Sequence, residues 1–359
     1  MGVSKIAQID KNFAAEEVTG APEKECYPIP HSAFSLFGVR YDEERKCFAR
    51  MDVSVAEKVS EVLGLLAARS SGGRLAFATD SKLLEIHATY EDFCNMPHMA
   101  LAGSSGFSLF AETEDGWRFV KSFAPQPWEN KGFTAQTSLP GKMTKYLLYF
   151  PLYNEVKSLS IYLTKGAGVE RVYPYREVAP ILYYGSSITQ GGCASRPDTA
   201  YPALIAKKNG IDYINLGFSG NAKGEEGIAE YLAGIDCSLF VCDYDHNAPS
   251  VEYLQDTHYA FYKKYRALRP TTPILFISKP DISGNQDEKE RLKIIRATYK
   301  KAKKEGDKAV YFLPGTRFYR GKDKGIFSVD GCHPTDLGFQ RMATEIYKKI
   351  IKIDKKFRG

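Results

Sequence analysis

From residue 177 to its end the chain repeats one pattern: a short apolar run, then a longer amphipathic stretch, then another run. The runs are Ile181 to Tyr184, Tyr213 to Leu216, Leu239 to Cys242, Ile274 to Ile277 and Ala309 to Phe312. The stretches between them cover Thr199 to Asn209, Glu225 to Leu232, Val251 to Leu268 and Glu288 to Lys304, with a last one from about Leu337. Runs this short and this apolar fit strands buried on both faces. Strands separated by helices pair in parallel, and the helices cover both faces of the sheet. Working residues of such a sheet gather beyond the carboxyl ends of its strands. Ser187, Gly220, Asn247 and His333 all fall in loops that reach that edge.

Before about residue 172 the rhythm differs. Leu84, Ile86, Ala88 and Tyr90 alternate with other residues, as do Leu159, Ile161 and Leu163, which is the period of half-buried strands. Turns such as Ser70-Ser71-Gly72-Gly73 and Thr113-Glu114-Asp115-Gly116 separate these segments. The expectation is an all-β sandwich of jelly-roll type over residues 1–172, then an α/β domain over 173–359. A chain of 359 residues also exceeds what one core commonly serves. The stretch Val55 to Ala68 is amphipathic and fits either a helix or a strand pair.

Composition excludes several classes. Hydrophobic residues make up 43% and charged residues 26%, as in ordinary globular proteins. No run approaches the ~20 apolar residues that span a bilayer. The formal charge of +6 is mild and partly gathered in the lysine-rich C-terminus. There Met342, Ile346, Ile350 and Ile353 recur at helical spacing, so the lysines read as the wet face of a packed helix. Neither nucleic acid nor membrane is expected as a partner. Seven scattered cysteines argue against a disulfide framework. The first residues lack an apolar signal core, which makes cytoplasm the simplest expectation; a trimmed secreted chain would look the same. Oligomeric state is not written in the sequence.

Two segments suggest chemistry. Gly185-Ser186-Ser187-Ile188 places a serine just after a strand, and Asp330-Gly331-Cys332-His333-Pro334 places a carboxylate three residues before a histidine. A serine attacks only when a base takes its proton and a third group orients that base. The spacing lets Asp330 hold one imidazole nitrogen while the other faces Ser187. Taken singly, Gly-Ser-Ser is a turn and Asp330 a helix cap. Gly220 lets a backbone N–H approach an oxyanion closely, and the Asn247 amide is a second donor. Asp243, Asp245 and His246 resemble a small metal cluster, but no further ligand is spaced to complete it. His31, His87, His98 and His258 lie in unpatterned surroundings and read as structural.

In order along the chain, these blocks resemble the SGNH hydrolases, the GDSL-type esterase and lipase superfamily. The first block, Gly-Asp-Ser-Leu in the family, reads Gly185-Ser186-Ser187-Ile188 here. Gly220, Asn247 and Asp330-x-x-His333-Pro334 match the second, third and fifth blocks. Gly106-Phe107-Ser108-Leu109-Phe110 resembles the Gly-x-Asp-Leu-Tyr signature of a bacterial branch with an N-terminal β-sandwich. The resemblance implies a three-layer, flavodoxin-like parallel sheet and an acyl-enzyme mechanism. It implies Ser187, His333 and Asp330 as catalytic residues, and an oxyanion hole from the Ser187 and Gly220 N–H groups and the Asn247 amide. Ser186 stands where the family has aspartate, and His246 precedes Asn247 where glycine is commoner.

The function expected is hydrolysis of short acyl esters, acetyl above all, on a small molecule or oligosaccharide, with no cofactor or metal. Trp117, Phe119 and Trp128 could stack on sugar faces or fill the sandwich core. Alternatives are a lipid or thioester hydrolase on the same residues, or a carbohydrate-binding protein with a lapsed site.

Overall fold

The computed structural model describes residue 9, residues 23–280 and residues 284–359. Strands of the first half are β1 (Lys24–Ile29), β2 (Ser35–Phe37), β3 (Arg40–Asp42), β4 (Cys47–Ala49), β5 (Arg74–Thr79), β6 (Leu83–Tyr90), β7 (Phe107–Thr113), β8 (Gly116–Phe123), β9 (Gly132–Ser138), β10 (Thr144–Tyr149), β11 (Val156–Thr164) and β12 (Val169–Glu170). They form two antiparallel sheets, ordered β1-β11-β6-β9 and β12-β5-β10-β7-β8, with β2 pairing on β5. β3 and β4 form a separate hairpin. Alternation decides what faces inward. Leu84, Ile86 and Ala88 of one sheet meet Leu75, Phe77, Leu109 and Leu148 of the other in one core.

The second half carries β13 (Ile181–Gly185), β14 (Tyr213–Gly217), β15 (Leu239–Asp243), β16 (Ile274–Ile277) and β17 (Val310–Leu313). All pair in parallel, in the order β14-β13-β15-β16-β17. The first strand is therefore flanked by the second and third, the flavodoxin-like order. Ile181 stands opposite Tyr213 on one side and Leu239 on the other. Side chains of β13 alternate between two cores. Ile181 and Tyr183 pack with the helices Tyr201–Asn209 and Asp336–Ile353. Leu182 and Tyr184 pack with Glu226–Gly234, Val251–Leu268 and Gln286–Lys304. These three layers follow from the strand–helix rhythm of the sequence. Among the described residues, no helix is long and apolar enough to cross a membrane.

The ambiguous stretch near residue 60 is two seven-residue helices, Val53–Val59 and Glu61–Ala67. Ser60 ends the first in an extended conformation, and its Oγ accepts the Leu63 N–H at 3.1 Å to cap the second. The break interrupts the helical period, which is why the pattern read two ways. Val53, Ala56, Leu63 and Ala67 pack with the α/β half, not in the sandwich core. The sandwich also leans on that half: Ala76, Phe110, Leu147 and Tyr149 share a core with Tyr201 and Ala203.

Candidate active site

β13 ends at Gly185, where an added Cβ would sit 2.3 Å from the Asp243 carbonyl oxygen and from Thr189 Oγ1. Only glycine lets the chain turn there. The next residue, Ser186, is extended, and its Oγ accepts the Ile188 N–H at 3.2 Å as N-cap of the short helix Ser187–Gln190. Serine and aspartate cap about equally well, so this departure from the family pattern keeps the local structure. Ser187 opens the helix, so its N–H has no intrahelical acceptor. It is 95% buried, being 5% exposed.

A buried network holds this helix from below. Thr189 Oγ1 donates to Asp243 Oδ2 at 3.1 Å and lies 3.0 Å from the Tyr201 hydroxyl. Asn215 Nδ2 donates to the Thr189 carbonyl at 2.8 Å. Gln190 Oε1 accepts the Ser219 N–H at 3.0 Å and so fixes the loop after β14. In that loop Gly220 has φ +67° and no atom near its Cβ position. Its N–H makes no hydrogen bond among the described residues. Asn247 sits in a 3-10 turn, Asp245–Asn247, just past β15. Its Oδ1 accepts the Ala222 N–H at 3.4 Å, which orients the carboxamide and leaves the NH2 end available.

The histidine comes from the far end of the chain. Asp330 Oδ1 accepts the N–H groups of Cys332 (2.9 Å) and His333 (2.7 Å). Its Oδ2 lies 2.7 Å from His333 Nδ1, and His333 Nε2 lies 2.9 Å from Ser187 Oγ. Burial would raise the Asp330 pKa, but bonds from the His333 ring and from the two N–H groups outweigh it and bring the carboxyl down to about 2. It is therefore charged whenever the imidazole needs a partner. Asp330 is not the cap of the last helix; Thr335 is, accepting the Gly338 N–H at 3.2 Å.

The structure thus brings Ser187, His333 and Asp330 into one hydrogen-bonded line, with Gly220 and Asn247 on loops after the neighbouring strands. One expectation is corrected, that of His98. For Asp243, Asp245 and His246 no completing ligand is expected; among the described residues the one set close enough to hold a metal is His98, Cys193 and His333. Asp243 binds Thr189, and Asp245 accepts the Lys279 N–H at 3.1 Å. His98 is no remote structural residue: its ring centroid is 6.1 Å from that of His333. No local pattern marks it, because the loop that carries it belongs to the sandwich half. Sequence reading also missed Asp336. Its carboxylate takes the Ser195 N–H (2.9 Å) and hydroxyl and the Thr199 hydroxyl (2.7 Å), tying the serine loop to the histidine loop.

The sequence model of the GDSL-like Lipase/Acylhydrolase family matches residues 178–352. A second model, described as the N-terminus of "Esterase_SGNH_hydro-type", matches residues 29–169. A protein of Bacteroides ovatus ATCC 8483, described as a GDSL-like lipase, is 30% identical over 94% of this chain and 100% of its own, with a TM-score of 0.83. The chain belongs to the GDSL-like lipase/acylhydrolase family. Among solved structures with the same fold are the salicylyl-acyltransferase SsfX3 from a tetracycline biosynthetic pathway (18% identity, 92% of this chain, 97% of that one, TM-score 0.73) and the acetyl xylan esterase Est2A from Butyrivibrio proteoclasticus (14%, 92%, 98%, 0.57). A search of curated proteins found no match. As an SGNH-type hydrolase, this chain places Ser187, Gly220, Asn247 and His333 beyond the carboxyl edge of its parallel sheet.

Proposed function

We propose that this SGNH hydrolase is a serine esterase that removes short acyl groups, acetyl in particular, from a carbohydrate. The observation that carries the reading is the unbroken line Ser187 Oγ–His333 Nε2 (2.9 Å) and His333 Nδ1–Asp330 Oδ2 (2.7 Å). With the Nδ1 proton held by Asp330, Nε2 presents a lone pair to the serine hydroxyl. Ser187 attacks the acyl carbon as its proton passes to Nε2. The imidazolium formed faces a carboxylate that is already charged, and it returns the proton to the leaving alcohol. Water then repeats the sequence on the acyl-enzyme. The Ser187 and Gly220 N–H groups and the Asn247 amide are assigned to the tetrahedral oxyanion; each such donor is commonly worth about 3–4 kcal/mol of barrier.

Support for the carbohydrate is indirect. Several solved structures with this two-part architecture are carbohydrate esterases by name, one of them in complex with cellohexaose. In the first half Phe119 is 40% exposed and Trp128 49% exposed, unlike the buried aromatics of the sandwich core. The test is turnover of p-nitrophenyl acetate by the wild type and by Ser187→Ala, followed by acetylated sugars, octanoyl esters and acyl-CoA. Activity retained by Ser187→Ala would remove the serine from the mechanism. Preference for octanoyl or CoA substrates would replace the acetyl-carbohydrate reading with the lipid or thioester one.

A further inference from the structure

Beside the proposed triad, and sharing its histidine, lie two side chains that ester hydrolysis does not use. One donor atom each from His98, Cys193 and His333 lies within 4.8 Å of the other two. Nothing in the acyl-transfer scheme calls for His98 or for the Cys193 thiol, yet the backbone that carries each is fixed. Cys193 is buried, with φ +70°. His98 sits in a turn closed by the Met99 N–H on the Met96 carbonyl at 3.1 Å, and Met99 itself is buried in the core. The helix Leu101–Ser104 that follows is docked on the serine loop: a Cβ on Gly103 would lie 2.1 Å from the Ala194 carbonyl oxygen. The sandwich half therefore presents a histidine to the loop that carries Cys193.

We propose that His98, Cys193 and His333 form an inhibitory site for a borderline-soft divalent cation, Zn2+ by donor type. Two imidazoles and a thiolate suit zinc, at about 2.0–2.1 Å for nitrogen and 2.3 Å for sulfur. Tetrahedral geometry at those lengths needs donors about 3.3–3.6 Å apart, so the three must close by roughly an ångström. Rotation of the exposed His98 ring supplies most of that movement. Water takes the fourth position. On binding, Cys193 gives up its thiol proton to solvent, and each imidazole donates a nitrogen lone pair.

The consequence follows from the tautomer. His333 Nδ1 is committed to Asp330, so Nε2 is the nitrogen the cation takes, and the Asp330 carboxylate orients that ring as outer-shell carboxylates orient metal-bound histidines. The same lone pair is the one that accepts the Ser187 proton. Zinc and serine activation are mutually exclusive. The site is a switch that removes the base without disturbing the nucleophile.

The test has two arms. The binding arm uses Co2+ as a spectroscopic stand-in with purified Ser187→Ala protein, so it needs no activity. It is expected to show thiolate-to-cobalt charge-transfer absorption that Cys193→Ser abolishes and that His98→Ala moves to at least about tenfold higher metal concentration. The activity arm follows p-nitrophenyl acetate turnover. Wild type is expected to be inhibited by Zn2+ and restored by EDTA, with the inhibition curves of His98→Ala and Cys193→Ser shifted about tenfold or more. His98 is exposed, so its alanine variant is a safe test if Cys193→Ser folds poorly. Wild-type-like zinc inhibition in both variants, or no thiolate band with Co2+, overturns the proposal. The inhibitory role rests on the esterase reading: a cobalt band without any esterase turnover would sink that role and leave the metal site standing, so the two failures are told apart.

Discussion

Asp243 ends β15 beside the short helix Ser187–Gln190, and its charge state should be visible in the stability of the whole protein. Only 1% of it is exposed. Oδ2 accepts the Thr189 hydroxyl, whereas Oδ1 has no hydrogen-bond partner. Burial, and then the nearby Asp245 charge, push the carboxyl up from 3.8 to about 7, against the opposing pull of His246 and Thr189. A folded-state pKa above the unfolded value means that the folded protein holds the proton more tightly. The resulting stability is full below the unfolded pKa of 3.8 and is lost as pH rises through about 7. Integrating that difference from about pH 5 to about pH 8.5 gives a loss on the order of 3 kcal/mol. Asp243→Asn keeps the shape and the acceptor for Thr189 but cannot ionise, so it escapes the loss. Unfolding entropy near 2.1 cal/mol/K per residue amounts to about 0.75 kcal/mol/K for a chain this long, so the effect is roughly 4 °C in Tm. Thermal melts of both proteins across that range should show the variant gaining about 4 °C on the wild type as pH rises. A gap that stays constant with pH would refute the assignment of a raised pKa to Asp243.

The catalytic reading makes sharper demands on kinetics. Asp330→Asn should lower kcat by about 10^2–10^4-fold with KM little changed, because a neutral amide neither fixes the Nδ1 proton nor faces the imidazolium; steady-state assays on p-nitrophenyl acetate decide it. Asn247→Ala should lower kcat by roughly 10^2–10^3-fold, the usual cost of one oxyanion donor, and an unchanged kcat would take Asn247 out of the hole. Gly217→Ala would place a Cβ 2.2 Å from the Gln190 backbone nitrogen and 2.7 Å from the Thr189 carbonyl carbon. A clash with the Thr189–Gln190 peptide, which cannot swing away as a side chain could, should lower Tm by several degrees or prevent folding, measured by melting and solubility.

Much of this was legible because it is local. Five apolar runs became five parallel strands, since nothing but a sheet covered on both faces can bury both sides of Leu239-Phe240-Val241-Cys242. Asp330 and His333 could be paired from their spacing, because the bond between them closes within a four-residue loop. What stayed hidden was long-range. His98 and His333 are brought together by the packing of Gly103 on Ala194, which no periodicity in either segment announces. The helices around Ser60 look like part of the sandwich in sequence order, yet their apolar faces join the core of the other half, the first of them against the helix Glu226–Gly234. The aspartate of the last helix, Asp336, reads as a helix-start residue and also serves as a clamp, a double duty visible only once Ser195 and Thr199 are beside it.

The same contacts explain what the first half contributes to a site whose proposed triad lies wholly in the second. The helix Ser187–Gln190 is one turn long, too short to hold its own geometry. Its carbonyls and side chains are instead taken up from outside: Ser71 Oγ donates to the Gln190 carbonyl at 2.6 Å, and Gln190 Nε2 donates to the Leu152 carbonyl at 3.1 Å. Two buried arginines from the first half reach the strand next door. Arg50 donates to the Gly217 carbonyl, and Arg74 to the Tyr213 carbonyl at 3.0 Å. Without those donors the carbonyls would be left in an apolar interior with no partner, at a cost of about 1–3 kcal/mol each. The sandwich half is thus part of the site's frame, fixing the end of β14 and the serine turn against each other, so that Ser187 Oγ is already 2.9 Å from His333 Nε2, its proposed base, before any substrate arrives.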